Sequence, residues 1–207
     1  DRGDGGPEHG QGHSVGSFHR GDGRRIAFVS DREDTDSIYV INADGTGGLT
    51  RLTDQDTNDS YPNWSPDGMM LAFYSDRDDN LNVYLMNADG SGVRQLCFDQ
   101  DHDLHPCVLA NGQVLYHRWD YTGINHIFMR QLMVMNPDGT GQRAVYGSNS
   151  WYPNALYFPR PVPGESGRLA CILSGYHGVH KMGQFVLADT DVGWYEADGL
   201  VARISGR

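Results

Sequence analysis

The chain has 207 residues, of which 27 are Gly and 9 are Pro, a density of helix-breaking and turn-forming residues that argues against a helical bundle. With 16 basic against 27 acidic residues the formal charge is −11, which opposes a nucleic-acid backbone or an anionic membrane surface as partner. No apolar run approaches the roughly 18 residues of a membrane-spanning helix. A content of 38% hydrophobic and 11% aromatic residues is ample for a packed core, so the composition reads as a soluble all-β chain with no membrane insertion.

Residues 1–13 read as a flexible Gly/His-rich tail. The sequence begins at Asp1 with no charged-then-apolar leader, and is read as a fragment or processed form. An internal repeat then organises the chain. RIAFVSDR at 25–32 returns as MLAFYSDR at 70–77, and NADGTG at 42–47 returns as NADGSG at 87–92 and NPDGTG at 136–141. YPNWSPDG at 61–68 is echoed by HPCVLANG at 105–112 and by YPNA at 152–155. The expected units are 14–55, 60–100, 105–147 and 151–190, with 191–207 as the start of a further blade or a linker.

The second unit illustrates the expected strands. Residues 63–65 form a short strand, a turn follows at Ser65-Pro66-Asp67-Gly68, and residues 70–75 and 82–86 form two apolar strands. Asp89-Gly90 supplies a tight hairpin before a fourth strand at 93–97. Four antiparallel strands per unit of about 45 residues is the arithmetic of a β-propeller blade. The fold class is therefore all-β: a propeller of four-stranded antiparallel blades, about four present, and part of a larger ring. Unit four departs from the pattern through a proline-rich insert at Pro159 to Gly164 and the loss of the Asp-Gly hairpin.

These motifs resemble the TolB-type, WD-like propeller repeat, whose marks are SPDG, AF-x-SDR and NADG-[ST]-G. The match is closest over residues 22–97. In unit three, Asn111-Gly112 replaces Pro66-Asp67-Gly68 and His117-Arg118-Trp119 replaces the SDR.

Strand alternation gathers the strand 2–3 loops and the blade-to-blade connections on one face, and the Asp-Gly hairpins at 44–45, 89–90 and 138–139 on the other. The first face is expected to carry six of the nine histidines, His102, His105, His117, His126, His177 and His180, among many acids and aromatic rings. The candidate ligand-binding face is His105, His117, Arg118, Trp119, Asp120, Tyr121, His126, Asn149, Trp151, Tyr152, His177 and His180, a mixture suited to sugars, peptides or a cofactor edge. The alternative is that 117–120 caps a buried strand, with Arg118 paired to Asp120 or another acid. Asp54, Asp56 and Asn58, and Asp99, Asp101 and Asp103, have the oxygen-rich spacing of calcium loops but lack the Gly and the closing acid of an EF-hand. Cys97, Cys107 and Cys171 fit no disulfide framework and no metal knuckle, and read as small buried apolar side chains.

Hydrolase, zincin, P-loop, dinucleotide and haem-attachment signatures are all missing, so no catalytic residue is assigned. The second half is more particular. LYHRWDYTG at 115–123, MNPDGTGQ at 135–142, YGSNSWYPN at 146–154 and ILSGYHGVHKMG at 172–183 resemble the propeller region of hydrazine synthase alpha-subunit-like proteins. In that group the propeller is the middle domain of a large exported multi-haem subunit. The resemblance implies a periplasmic or otherwise extracytoplasmic module that scaffolds other domains of the same polypeptide or binds protein partners; no cofactor is expected in this segment, which lacks a haem-attachment motif. The alternative is part of a haem- or metal-dependent enzyme whose catalytic motifs lie outside it.

Overall fold

Each repeat folds into four antiparallel strands because its turn residues recur at fixed places. The structure, a computed structural model, describes residues 14–19, 22–53, 56–120, 129–147, 155–174, 183–195 and 197–204. Blade one is β1 (Ser14–His19), β2 (Arg25–Ser30), β3 (Ser37–Asn42) and β4 (Thr50–Arg51). Blade two is β5 (Asp59–Trp64), β6 (Met70–Ser75), β7 (Asn82–Asn87) and β8 (Arg94–Gln95). Blade three is β9 (His102–Val108), β10 (Val114–Asp120), β11 (Met129–Met135) and β12 (Arg143–Tyr146), and blade four is β13 (Ala155–Pro161), β14 (Arg168–Ser174), β15 (Gln184–Asp189) and β16 (Leu200–Arg203). The blades follow one another in chain order, with β1, β5, β9 and β13 as successive inner neighbours, and among the described residues the sheets do not close into a ring. No helix among the described residues is long and apolar enough to cross a membrane.

The middle strands are buried on both faces, so they show no clean alternation. Tyr84 and Met86 of β7 join Ala27, Ile38 and Val40 of blade one, while Val83 and Leu85 join Val114, Tyr116 and Met135 of blade three. The third seam joins Leu115, Leu132 and Tyr146 to Leu169, Cys171 and Val186. Each fully buried aliphatic side chain contributes about 1.5–3 kcal/mol, so the seams, not the isolated sheets, hold the blades. All three cysteines are free and buried in these seams, as small apolar side chains would be.

The Asp-Gly hairpins are near-identical. Asn42, Asn87 and Asn136 donate through Nδ2 to the hydroxyl of Thr46, Ser91 and Thr140, which in turn donate to Asp44, Asp89 and Asp138. The hairpins of blades two and three lean on the blade before them. A Cβ on Gly90 would lie 2.8 Å from the Leu52 carbonyl oxygen, and one on Gly139 would lie 2.7 Å from that of Leu96.

Unit four differs from expectation in two ways. Its inner-strand bulge lies at Phe158-Pro159, inside β13, while the Tyr152-Pro153-Asn154 echo is outside the described residues. The proline-rich stretch is therefore no insert: it is the end of β13 and the turn to β14. Residues 191–207 do not start a new blade either, because Leu200–Arg203 pairs with β15 as the outer strand of blade four. A blade's outer strand pairs along one edge only, and it needs so few residues that its pattern is faint in sequence.

Candidate functional site

Three inner strands carry the same irregularity. Tyr61, His105 and Phe158 each precede a proline and each have a positive φ, 55°, 52° and 53°. The ladder with the second strand slips there, between Ser60 and Asn63, Leu104 and Cys107, and Tyr157 and Arg160. Residues before proline favour extended backbone and side chains with a Cβ disfavour positive φ, so each bulge stores about 1–3 kcal/mol of strain. In return the three rings meet at the blade axis. His105 lies 4.6 Å from Tyr61 and 4.2 Å from Phe158, centroid to centroid, and Tyr61 stacks on Phe158 at 5.5 Å. Tyr74 also stacks on Tyr61 at 5.4 Å, and Tyr157 meets His117 edge-on at 5.3 Å.

At the centre of this cluster are two of the expected histidines, although neither is a loop residue. His105 is in β9 and His117 in β10, both fully buried, with rings stacked at 5.1 Å and Nδ1 to Nδ1 at 3.1 Å. One proton fits between those nitrogens, so one ring donates and the other accepts. Burial raises the Tyr61 phenol, against the pull of Arg160, and pushes Tyr74 up to about 12. Burial likewise lifts the Cys107 thiol to about 11. At neutral pH these groups hold their protons, so the cluster offers ring surface, donors and one shared proton, and no thiolate or phenolate nucleophile.

Arg118 serves another purpose. Its guanidinium donates through Nε and Nη2 to both Asp103 oxygens at 2.9 Å, and also contacts Asp99, the Tyr116 hydroxyl and the Gln142 amide oxygen. Burial works against the Arg118 charge, but Asp103 overrides it and holds the guanidinium protonated. Asp103 itself is fully buried, and burial pushes its carboxyl up to about 6 despite Arg118. Arg118 therefore bolts β9 to β10 through an acid other than Asp120. Trp119, the next residue of the same strand, is half-buried, its ring 5.4 Å from His102. Asp120 pairs with Met129 through the backbone.

Tyr121, His126, Asn149, Trp151, Tyr152, His177 and His180 lie outside the described residues, as does Asp54. Of the other expected calcium ligands, Asp56 is exposed, and Asn58 is engaged with Asp76 and the Asp36 amide. Asp99 and Asp103 are both ion-paired with Arg118, and the Asp101 amide donates to Asp99. Among the described residues no group of three or more His, Cys, Asp or Glu side chains is placed to hold a metal. The members that sequence reasoning missed are Tyr61, Tyr74, Tyr157 and Phe158. The recurring aromatic-or-His-before-Pro dipeptide was the available signal.

With the fold and cluster established, comparison with known proteins gives a consistent answer. A sequence profile for the TolB beta propeller domain matches residues 9–159. No curated protein sequence matches. Among solved structures, a TolB-type protein from Agrobacterium tumefaciens superimposes with a TM-score of 0.69 at 20% identity, over 84% of this chain and 61% of its own. TolB from Acinetobacter baumannii gives 0.68 at 16%, over 88% and 42%. Kuenenia stuttgartiensis hydrazine synthase gives 0.76 at 15%, over 94% of this chain and 33% of its own. The chain thus spans less than two thirds of each of these proteins, and at such identities the likeness concerns the fold. The profile match over most of the length, on blades bearing the repeated SDR and Asp-Gly turns, makes this chain a member of the TolB β-propeller domain family.

Proposed function

We propose that the chain is a non-catalytic β-propeller module of a larger exported protein, binding a protein or ligand, or holding neighbouring domains, at the blade axis where the aromatic cluster lies. The observation that carries this reading is that cluster. Three blades spend backbone strain to bring Tyr61, His105 and Phe158 together, and Tyr61, Tyr74 and Cys107 keep their protons at neutral pH. That is a surface for contact rather than for nucleophilic chemistry. A net charge of −11 favours a basic partner and disfavours nucleic acid. An extracytoplasmic location is part of the proposal, supported by the resemblance to exported proteins.

The test is partner capture on immobilised protein from a periplasmic extract, compared with Tyr61→Ala and Phe158→Ala variants of unchanged melting temperature. A partner retained by the natural chain and lost by both variants supports the reading. Equal retention by all three removes the cluster from it.

The likeness to hydrazine synthase, over 94% of this chain, favours one second reading: a propeller part of a haem- or metal-dependent enzyme whose chemistry lies in other segments. Reading the gene in both directions separates the two, because a neighbouring C-x-x-C-H or metal-ligand motif supports the enzyme and their absence leaves it without support. Calcium is proposed only for the loop of Asp54, Asp56 and Asn58, since Arg118 already engages Asp99 and Asp103. A rise in Tm with excess calcium that Asp56→Asn abolishes supports it, and an unchanged Tm removes it.

A further inference from the structure

Two seams with the same hairpin contact differ in one side chain of the outer strand. Thr50, opposite Val40 in blade one, corresponds by strand pairing to Arg94, opposite Leu85 in blade two. In the seam between blades two and three, Arg94 reaches across and donates through Nε and Nη2 to the Pro137 carbonyl at 3.3 and 3.2 Å. The Thr140 hydroxyl and amide hold the adjoining Asp138 carboxyl below the usual range, and the Arg94 charge adds to this. The turn Asn136-Pro137-Asp138-Gly139 repeats Asn87-Ala88-Asp89-Gly90 of blade two, so Ala88 stands where Pro137 does.

In the seam between blades one and two, Thr50 is too short to make that link. A cleft of about 350 Å³ opens there, with Thr50 and Leu52 of blade one on one side and Ala88 and Asp89 of blade two on the other. The blades have not drawn apart, since Gly90 sits on the Leu52 carbonyl as closely as Gly139 sits on that of Leu96. Blade one also takes five residues from Gly47 to Leu52 where blade two takes four from Gly92 to Leu96. The extra residue is Gly48, which lines the cleft with a φ of 74° and meets no atom within 4 Å of the position a Cβ would take, so this wall is bare backbone. Hydrogen bonds from Ser91 hold the Asp89 carboxyl low, and Arg25, which also lines the cleft, is not among the groups that act on it.

We infer that this cleft binds the guanidinium of an arginine side chain from a basic polypeptide, in the place that Arg94 fills one seam further on, with the Ala88 carbonyl and the Asp89 carboxylate as acceptors. The chain itself supplies the model for the occupant. Arg94 turns two N–H groups of its planar fork onto one carbonyl oxygen, a geometry that a lysine ammonium does not reproduce. The volume lies within the roughly 300–1,000 Å³ of small-ligand sites and leaves room for the side chain and the backbone that carries it. The −11 charge draws a basic partner toward it. None of these residues belongs to the axial cluster, so failure here leaves that cluster and its binding test untouched.

Amide NMR of the 207-residue chain titrated with N-acetyl-arginine-amide reads the outcome. The expected result is a saturable shift of the Gly47, Gly48 and Asp89 amides that weakens as salt is raised, with several-fold weaker binding of N-acetyl-lysine-amide. Thr50→Arg fills the cleft from the chain itself and should abolish the shift. Arg94→Thr should open a second site, seen as new saturable shifts of the Asp138 and Gly139 amides. Free arginine separates the two sources of a guanidinium: tighter binding of the free amino acid than of the blocked amide would mean that its carboxylate engages Arg25, and overturns the polypeptide as occupant. The inference is equally overturned by no saturable shift, by a shift that survives Thr50→Arg, by an Arg94→Thr chain with no second site, or by equal affinity for the lysine probe.

Discussion

Blades two and three solve the same problem with different residues. In blade two Asp59 lies opposite Ser75, and Arg77 reaches back from beyond the strand to donate to Asp59 at 2.8 Å and to Ser75 at 3.0 Å. Its guanidinium also covers the Tyr84 ring at 4.7 Å. In blade three the arginine has moved into the strand: Arg118 lies directly opposite Asp103 and grips both its oxygens. Beside these bolts the ring pairs also correspond, Tyr61 on Tyr74 in one blade and His105 on His117 in the next. The histidines thus occupy slots that the repeat uses for stacked aromatic rings, and what blade three adds to the shared geometry is a proton that can move.

The largest effect expected from this comparison is on the bolts. Removing one partner from a buried pair leaves the other charge uncompensated, at a cost of about 3–5 kcal/mol. Arg118→Met should fall in that range, because Asp103 is fully buried. Arg77→Met should cost less: its side chain is 24% exposed, so water can take over part of its role at Asp59. Urea unfolding of the two variants checks the order, and equal losses would mean that the bidentate grip adds nothing.

The pH responses of the two blades should differ next. Asp103 holds its proton more tightly folded, at about 6, than at its ordinary 3.8. Its contribution therefore favours the fold at low pH and is lost as pH rises from about 4 through about 6. Carboxyl-carbon NMR should find this titration, and Arg118→Met should move it higher, since the remaining cause is burial. The histidine pair acts in the opposite sense. A second proton between the two Nδ1 atoms would set two N–H groups head-on at 3.1 Å and place a positive charge on a fully buried ring pair, so acid works against the fold here. The double variant His105→Tyr, His117→Tyr copies blade two and should flatten the acid limb of a stability profile measured on an Asp103→Asn background. An unflattened limb would assign the acid response to other groups.

What was legible in the sequence is what the turns dictate. The SPDG and SDR motifs bracket residues 70–75, which form β6, and the Asp-Gly turns close three hairpins. What was not legible depends on pairing. Tyr-Pro-Asn occurs at 61–63 and at 152–154, and the dipeptide alone gives no register; the bulge of blade four is fixed by Tyr157 opposite Ile172, which puts Phe158 at the axis. The same blindness made His105 and His117 look like loop residues, since polar side chains in a strand suggest exposure until the cross-strand partner is known. The outer strand Leu200–Arg203 was hidden because ten residues without the Asn-x-Asp-Gly signature separate it from β15.

The smallest effect sharpens the comparison between blades at the level of one methyl group. Gly45 and Gly90 both adopt positive φ, 77° and 87°, so alanine at either position bears the left-handed penalty of about 1–2 kcal/mol. Only Gly90 abuts a neighbour, where the new Cβ would press to 2.8 Å on the Leu52 carbonyl oxygen, a backbone atom that cannot swing aside. Gly90→Ala should therefore lower Tm more than Gly45→Ala when thermal unfolding is followed by circular dichroism. Equal losses would mean that the close approach to the Leu52 carbonyl adds nothing to the seam between blades one and two.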